Sequence, residues 1–161
     1  MYLLVIIPCF NEEDTLGDVI DRIPSAIEGV DRTDVLVIDD GSTDGSREIA
    51  RAKGVDVIQH SVNMGVGSAF HTGVEEGLRR NADVVVNMDG DGQFDPGQIG
   101  TLLAPIFSGQ ADCVSGSRFK DKNLVPEMPL AKKWGNRAMA VLISRLTGRK
   151  FYDVACGFRA Y

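Results

Sequence analysis

Three short acidic turns hold the residues best suited to chemistry. Pro8-Cys9-Phe10-Asn11-Glu12-Glu13 follows the apolar run 3–7. Asp39-Asp40-Gly41-Ser42-Thr43-Asp44-Gly45-Ser46 follows the run 35–38, and Asp89-Gly90-Asp91-Gly92-Gln93 follows the run 84–88. Carboxylates at this density repel phosphates unless a cation intervenes. The pattern therefore points to an oxygen-rich site for Mg²⁺ or Mn²⁺, with a phosphorylated ligand on the far side of the metal. Plainer readings stand beside it: Asp39-Asp40-Gly41-Ser42 also suits a turn with a helix N-cap, and Asp89-Gly90-Asp91 a tight loop of solvated carboxylates. An EF-hand loop does not fit, because counting from Asp89 puts Phe94 where Gly is needed and Gly100 where Glu is needed. Asn63-Met64-Gly65-Val66-Gly67-Ser68-Ala69 has two of the glycines of a dinucleotide fingerprint but Phe70 at the third position. A helix start with bare backbone N–H groups fits that segment better. His60 and His71 lack metal-ligand spacing and an identifiable Ser or Cys partner, and read as surface or packing histidines.

Such turns need rigid elements to bring them together. The runs 3–7, 35–38, 55–58, 84–88 and 113–115 are short and mostly β-branched, as buried strands are. Between them lie helix-period segments at 15–23, 44–53, 67–80 and 96–108. In the first, Leu16, Val19, Ile20 and Ile23 share one face, and Glu12, Glu13 and Asp14 suit its first turn. Strand alternating with helix predicts an α/β fold with a parallel sheet. Ligands of such sheets bind at the carboxyl ends of the strands, where all three acidic turns fall.

The 161 residues suit one domain, and 43% hydrophobic content is enough for a buried core. The net charge of −6 conceals a division: residues 1–117 carry 7 Lys/Arg against 20 Asp/Glu, and residues 118–161 carry 10 against 3. An acidic chain with pI near 4.9 argues against a nucleic-acid partner. Cys9, Cys113 and Cys156 are widely spaced, odd in number and form no CxxC pair, so neither a disulfide framework nor a zinc ribbon is supported and a reducing, cytoplasmic setting is expected. Cys9 and Cys113 adjoin apolar runs and are expected to be buried thiols. No run reaches the roughly 18–20 apolar residues that span a bilayer, and the opening residues lack a signal peptide's basic start and cleavage site.

The motifs together resemble family 2 glycosyltransferases of the GT-A fold. Pro8-x-x-Asn11-Glu12, Asp39-Asp40-Gly41-Ser42-Thr43-Asp44-Gly45, Asn63-x-Gly65-x-Gly67-x-Ala69, Asp89-x-Asp91 (the DXD motif) and Gly116-Ser117-Arg118-Phe119 occur in that family's order. The closing Asp153-x-x-Cys156-Gly157-Phe158-Arg159 is similar to a segment of the dolichyl-phosphate mannose synthase-like branch, which makes polyprenyl-phosphate sugars. The resemblance implies a Rossmann-like nucleotide-diphospho-sugar transferase fold, a mainly parallel sheet flanked by helices.

It also implies roles. Pro8, Phe10, Glu12, Ile38 and Asp40 would surround the nucleoside of a nucleotide-sugar, GDP-mannose or UDP-glucose, with Gly90 and Arg118 also against the donor. Asp89 and Asp91, with Gln93 as a further oxygen ligand, would hold Mg²⁺ or Mn²⁺. The implied reaction is an inverting transfer of mannose or glucose to polyprenyl or dolichyl phosphate, with Asp91, Arg118 and Asp153 as catalytic candidates. A phosphate acceptor is already ionised, its second pKa being roughly 6, and needs no strong base. Arg118 would then clamp a phosphate. A glycan-hydroxyl acceptor would need a base, for which Asp153 stands in a matching motif; an ion pair of Asp153 with Arg159 is the structural alternative.

Residues 130–149 form a basic amphipathic segment: Trp134, Ala138, Val141, Leu142 and Leu146 against Lys132, Lys133, Arg137 and Arg145. Such a helix suits an anionic membrane surface, and equally a helix packed on a core with a solvated side. The resulting expectation is a single GT-A domain over 1–161, acidic and donor-binding over 1–117, basic and acceptor- or membrane-facing over 118–161. The family's domain continues past Gly-Phe-Arg, so this one is expected to be truncated at its C-terminus. The expected location is peripheral, on the cytoplasmic face of a membrane. Competing expectations are a family 2 enzyme acting on a glycan hydroxyl and a non-catalytic nucleotide-sugar-binding fragment. An aspartate-nucleophile phosphatase fits poorly, because Gln93 stands where Thr or Val is wanted.

Overall fold

The structure is a computed structural model that describes residues 1–119 and 130–161, with side chains from 134 onward in the second span. Two compact units make up the chain: residues 1–114 with 158–161, and residues 115–157.

The first unit is the expected α/β sheet. Strands β1 (Tyr2–Cys9), β2 (Arg32–Asp39), β3 (Asp56–Gln59) and β4 (Val84–Asn87) are mutually parallel in the order β3-β2-β1-β4. Helices α1 (Leu16–Asp21), α2 (Ser46–Ala52), α3 (Val66–Arg79) and α4 (Ile99–Phe107) occupy the connections. The last follows a single 3₁₀ turn, Pro96–Gln98, capped by the Asp95 carboxylate, which accepts from Gly97 N–H. A short strand, β5 (Val114–Ser115), lies at the far edge.

One strand escaped the sequence pattern. Arg159–Ala160 forms β6, antiparallel to β4, and makes the sheet mixed. Two residues are too few to show alternation. They are held by reciprocal backbone bonds between Val85 and Tyr161 (3.0 and 3.1 Å) and by Phe158 stacking on Phe94 at 5.6 Å.

Residues Leu3 to Ile7 are all fully buried, as a central parallel strand covered on both faces must be. One face, Leu4 and Ile6 with Leu36, Ile38 and Val85, packs under Ala69, Phe70 and Val74 of α3. A Cβ on Gly73 would fall 2.7 Å from Ile6 Cδ1, and one on Gly77 2.6 Å from Val85 Cγ2. Glycine at both positions lets α3 lie close on the sheet, and so places the helix start beside the ends of β1 and β2.

The second unit contains α5 (Leu130–Thr147), which falls within the expected 130–149. The Lys132 and Lys133 side chains lie outside the described residues. Among the described residues no helix is long and apolar enough to cross a membrane. Cys9 and Cys156 are buried, but Cys113, expected to be buried, is exposed. It stands just before a strand of only two residues at a sheet edge, too short to cover it.

Candidate functional site

The turn after β1 is built by the turn after β2. Asn11, in the left-handed region at φ 55°, donates its backbone N–H to Ser42 Oγ at 3.0 Å and accepts from Thr43 N–H at 2.9 Å through its side-chain oxygen. Glu12 N–H donates to Ser46 Oγ (2.8 Å) and Glu13 N–H to Asp44 (3.1 Å), while the Glu13 carboxylate accepts from Gly45 N–H (2.7 Å). The polar residues of both motifs thus satisfy each other's backbone, which frees Phe10 and Glu12 to face outward.

Asp39 and Asp40 divide the work. Asp39 is fully buried, accepts from Ser42 N–H at 2.8 Å and pairs with Arg47 at 2.7 Å, so it is a structural turn residue. Asp40 reaches the neighbouring loop: its carboxylate accepts from Met64 N–H (3.0 Å), Gly65 N–H (2.8 Å) and His60 Nδ1 (2.7 Å). Burial pushes the Asp40 carboxyl up, but these donors outweigh it and hold the group below the usual carboxylate range. Gly41, at φ 78°, lies so near this loop that a Cβ would meet the Val62 carbonyl carbon at 2.7 Å.

His60 is therefore not a bland surface histidine. Its ring is 10% exposed and spans from Asp40 to Thr72 Oγ1 of α3 at 3.0 Å. No local spacing announces this, because the partners lie 20 and 12 residues away. His71, by contrast, is exposed beside Glu75, as expected.

The turn after β4 joins the same edge. Thr15 Oγ1 donates to the Gly90 carbonyl at 2.8 Å, and Asp91 accepts from Gln93 N–H at 2.9 Å. Pro8, Cys9, Phe10, Glu12, Asp40, Asn63, Gly65, Val66, Ala69, Asp89, Gly90 and Asp91 line one open cavity of about 530 Å³. The structure thus brings together seven of the residues singled out from sequence: Pro8, Phe10, Glu12, Asp40, Asp89, Gly90 and Asp91. Ile38 is not in the lining; it is fully buried in the core beneath. Gln93 is exposed and outside the lining, and it is its backbone that meets Asp91.

Burial, then the charges of Asp91 and Asp89, push Glu12 above its ordinary value. A carboxylate burdened by burial and by two acidic neighbours around a cavity suits a hard cation. Among the described residues no three His, Cys, Asp or Glu side chains form a complete metal site. Asp89 and Asp91 fit an ion whose remaining ligands come from a bound phosphate or water. Cys9 is ill suited to join them, since burial pushes its thiol up to about 11.

In the second unit, Arg118 and Asp153 find each other. The guanidinium donates from Nε and Nη2 to the two Asp153 oxygens (2.8 and 3.2 Å), and Arg118 N–H adds a third bond at 3.2 Å. Asp153 is 3% exposed and also accepts from Ala155 N–H. Its ion-pair partner is Arg118, not the Arg159 considered from sequence: Arg159 has entered β6, in the other unit. Asn136 of α5 braces the segment by donating to the Tyr152 carbonyl and accepting from Val154 N–H (3.3 and 3.1 Å). Trp134, Val141, Leu142 and Leu146 of α5 are exposed, beside exposed Arg137 and Arg145.

Comparison with known proteins bears on this arrangement. The model of glycosyl transferase family 2 matches residues 4–161. The chain is 34% identical to undecaprenyl-phosphate mannosyltransferase of Micrococcus luteus, covering 100% of this chain and 66% of that one. It is 30% identical to UDP-N-acetylglucosamine–dolichyl-phosphate N-acetylglucosaminyltransferase of Methanococcus voltae, covering 99% and 68%. Among solved structures, glucosyl-3-phosphoglycerate synthase of Mycobacterium tuberculosis with Mn²⁺, UDP and glucosyl-3-phosphoglycerate superposes with a TM-score of 0.69. That protein is 26% identical, with 99% of this chain and 56% of the other covered. The chain spans about two thirds of the length of these curated relatives.

Proposed function

The chain belongs to glycosyl transferase family 2, and from that premise we propose that it moves a hexose, with inversion, from a nucleotide-sugar to polyprenyl phosphate. The observation that carries this reading is the cavity in which Phe10, Glu12 and Asp40 share walls with Asp89 and Asp91. An apolar ring, hydrogen-bond acceptors and metal-binding carboxylates are what a nucleoside diphosphate requires at its two ends.

Asp89 and Asp91 hold a divalent ion, Mg²⁺ or Mn²⁺; when bound, it supplies charge neutralisation for the departing nucleoside diphosphate. The Gly90 carbonyl, tied to Thr15, fixes the backbone between those two carboxylates. Glu12 and Asp40 accept from base N–H groups or ribose hydroxyls, and Phe10, 43% exposed, offers its ring to the base. The acceptor phosphate arrives ionised, so catalysis rests on positioning and leaving-group stabilisation. Asp153 then has no need to act as a base. Its carboxylate, saturated by Arg118 and Ala155, orients the guanidinium that meets a phosphate.

Both curated relatives named above carry a lipid-phosphate acceptor in their names, whereas their sugars differ. That supports polyprenyl phosphate more strongly than it supports any one donor, GDP-mannose or UDP-glucose. The exposed apolar and basic side chains of α5 support peripheral contact with an anionic membrane over 130–149. One domain over the whole chain, acidic toward the donor and basic toward the acceptor, remains the reading of the charge division.

The test is transfer of labelled sugar from GDP-mannose or UDP-glucose, with Mn²⁺, into organic-extractable polyprenyl phosphate, with 3-phosphoglycerate as a competing acceptor. Lipid label lost in Asp91→Ala supports the reading. Label in phosphoglycerate alone, or donor binding without transfer, overturns it. Sedimentation with anionic vesicles at low salt tests the membrane contact, and no retention there refutes it.

A further inference from the structure

The histidine behind Asp40 has a place in this cavity that sequence spacing does not reveal. β3 ends at Gln59, and His60 extends its ladder by donating its backbone N–H to the Asp39 carbonyl at 2.8 Å. That bond sets the ring beside Asp40. An ionised carboxylate only accepts, so Nδ1 carries the proton toward Asp40, leaving Nε2 for the Thr72 hydroxyl. The ring is nine-tenths buried and therefore held in one orientation.

Asp40 passes this orientation on. Its two oxygens receive the Met64 and Gly65 amides, and these precede Val66, the first residue of α3. Asn63, Gly65 and Val66 all line the cavity. The chain His60, Asp40, Met64 and Gly65 thus runs from the end of β3 to the cavity wall, and Thr72 ties its far end to the helix that the wall begins. Gly41 keeps the strand end close enough for those bonds to form.

We propose that His60 is a positioning residue for nucleotide binding: its Nδ1–H fixes the Asp40 carboxylate, which in turn holds the amides of residues 64–65 as one wall of the cavity. The proposal rests on the reading of that cavity as the nucleotide site, and its test separates the two. Asn places an amide N–H where Nδ1–H stands, whereas Gln places one where Nε2 stands. His60→Asn therefore keeps the bond to Asp40 and loses Thr72; His60→Gln does the reverse.

Two measurements decide it. The first is binding of UDP and of GDP, each with Mn²⁺, by calorimetry on the whole chain. His60→Ala and His60→Gln should lose about tenfold in affinity, as expected for one bond to a charged acceptor, while His60→Asn and Thr72→Val stay within about threefold of the parent. The second is amide hydrogen exchange over residues 62–66 without nucleotide, which should accelerate in the Ala and Gln variants but not in Asn. If affinity follows melting temperature across the set instead of the Asp40 bond, the positioning role is wrong. If the parent protein binds neither nucleotide, the assignment of the cavity fails. The exchange measurement still judges His60 then, and unchanged exchange in His60→Ala overturns its hold on the loop.

Discussion

Thr15 Oγ1 donates to the Gly90 carbonyl oxygen at 2.8 Å, joining the turn after β1 to the turn after β4 across 75 residues of sequence. The bond ties the turn that carries Glu12 to the turn that carries Asp89 and Asp91. A Cβ on Gly90 would also meet Leu16, Ile7 and Glu12 within 4 Å, so the two turns already touch. Thr15→Val removes the donor and leaves a carbonyl without it, at a cost of about 1–3 kcal/mol. The expected outcome is a lower urea midpoint together with weaker Mn²⁺-dependent nucleotide binding, both restored by Thr15→Ser. Unchanged binding in the valine variant would show that the bond does not position the carboxylates.

The carboxylate cluster trades stability for binding. Glu12 is pushed above its ordinary value by burial, with Asp91 and Asp89 adding to the effect. A carboxyl raised in the folded state costs nothing below its ordinary pKa and destabilises increasingly as pH rises through the raised one. Glu12 should therefore subtract stability on going from acid toward neutral pH, against the depressed carboxylates that add it, and Mn²⁺ should recover part of that loss. Asp91→Asn should melt higher than the parent at neutral pH without metal, and should no longer respond to Mn²⁺ with nucleotide. Thermal melts of both proteins with and without Mn²⁺ check this; a variant that melts lower without metal contradicts it.

How much of this was legible beforehand depended on the range over which each signal acts. The four parallel strands announced themselves because each is a short, mostly β-branched run, and the three acidic turns drew attention through the rule that ligands gather at strand ends. Asp89 and Asp91 were placed at this cavity by their position just after the fourth strand, although their spacing fitted a loop of solvated carboxylates as well. Ile38 was assigned to the lining, although it ends an apolar run on a buried strand face, where packing claims it. His60 was passed over for the opposite reason: its partners are distant in sequence, and no periodicity connects a strand end to the middle of α3. β6 was missed because its order comes from Val85 and Phe94 and not from its own two residues.

The ion pair of Arg118 with Asp153 separates a structural from a catalytic carboxylate. Asp153 is buried and takes two guanidinium bonds, so Asp153→Asn leaves the arginine without its counter-charge at a cost of about 3 kcal/mol or more. Arg118→Lys keeps the charge but not the fork, and should cost less. A double-mutant cycle by denaturant unfolding should return coupling of about 1–3 kcal/mol between the two sites. Full stability in Asp153→Asn combined with abolished transfer would instead make Asp153 a base that acts directly on the acceptor.

Acid should undo one ionic link of α3 on its own schedule. Glu76, 8% exposed, is bridged by Arg79 at 2.6 Å and by Arg80 at 2.7 Å, and Arg80 continues to Asp56, the first residue of β3. The Arg79 hydrogen bond, which outweighs burial, and then Arg80 hold the Glu76 carboxyl down at about 2, against an ordinary 4.5. A depressed carboxylate stabilises the fold fully above its ordinary pKa, and that stability drains away as pH falls through the folded value. With Arg79 largely exposed and screened, the contribution is on the order of 1–2 kcal/mol. Glu76→Gln should therefore be less stable than the parent at neutral pH and nearly equal to it near pH 2. Urea midpoints taken between those limits should converge as the parent's carboxylate protonates. Parallel pH profiles, with a constant gap down to pH 2, would mean that the pair contributes packing and not charge.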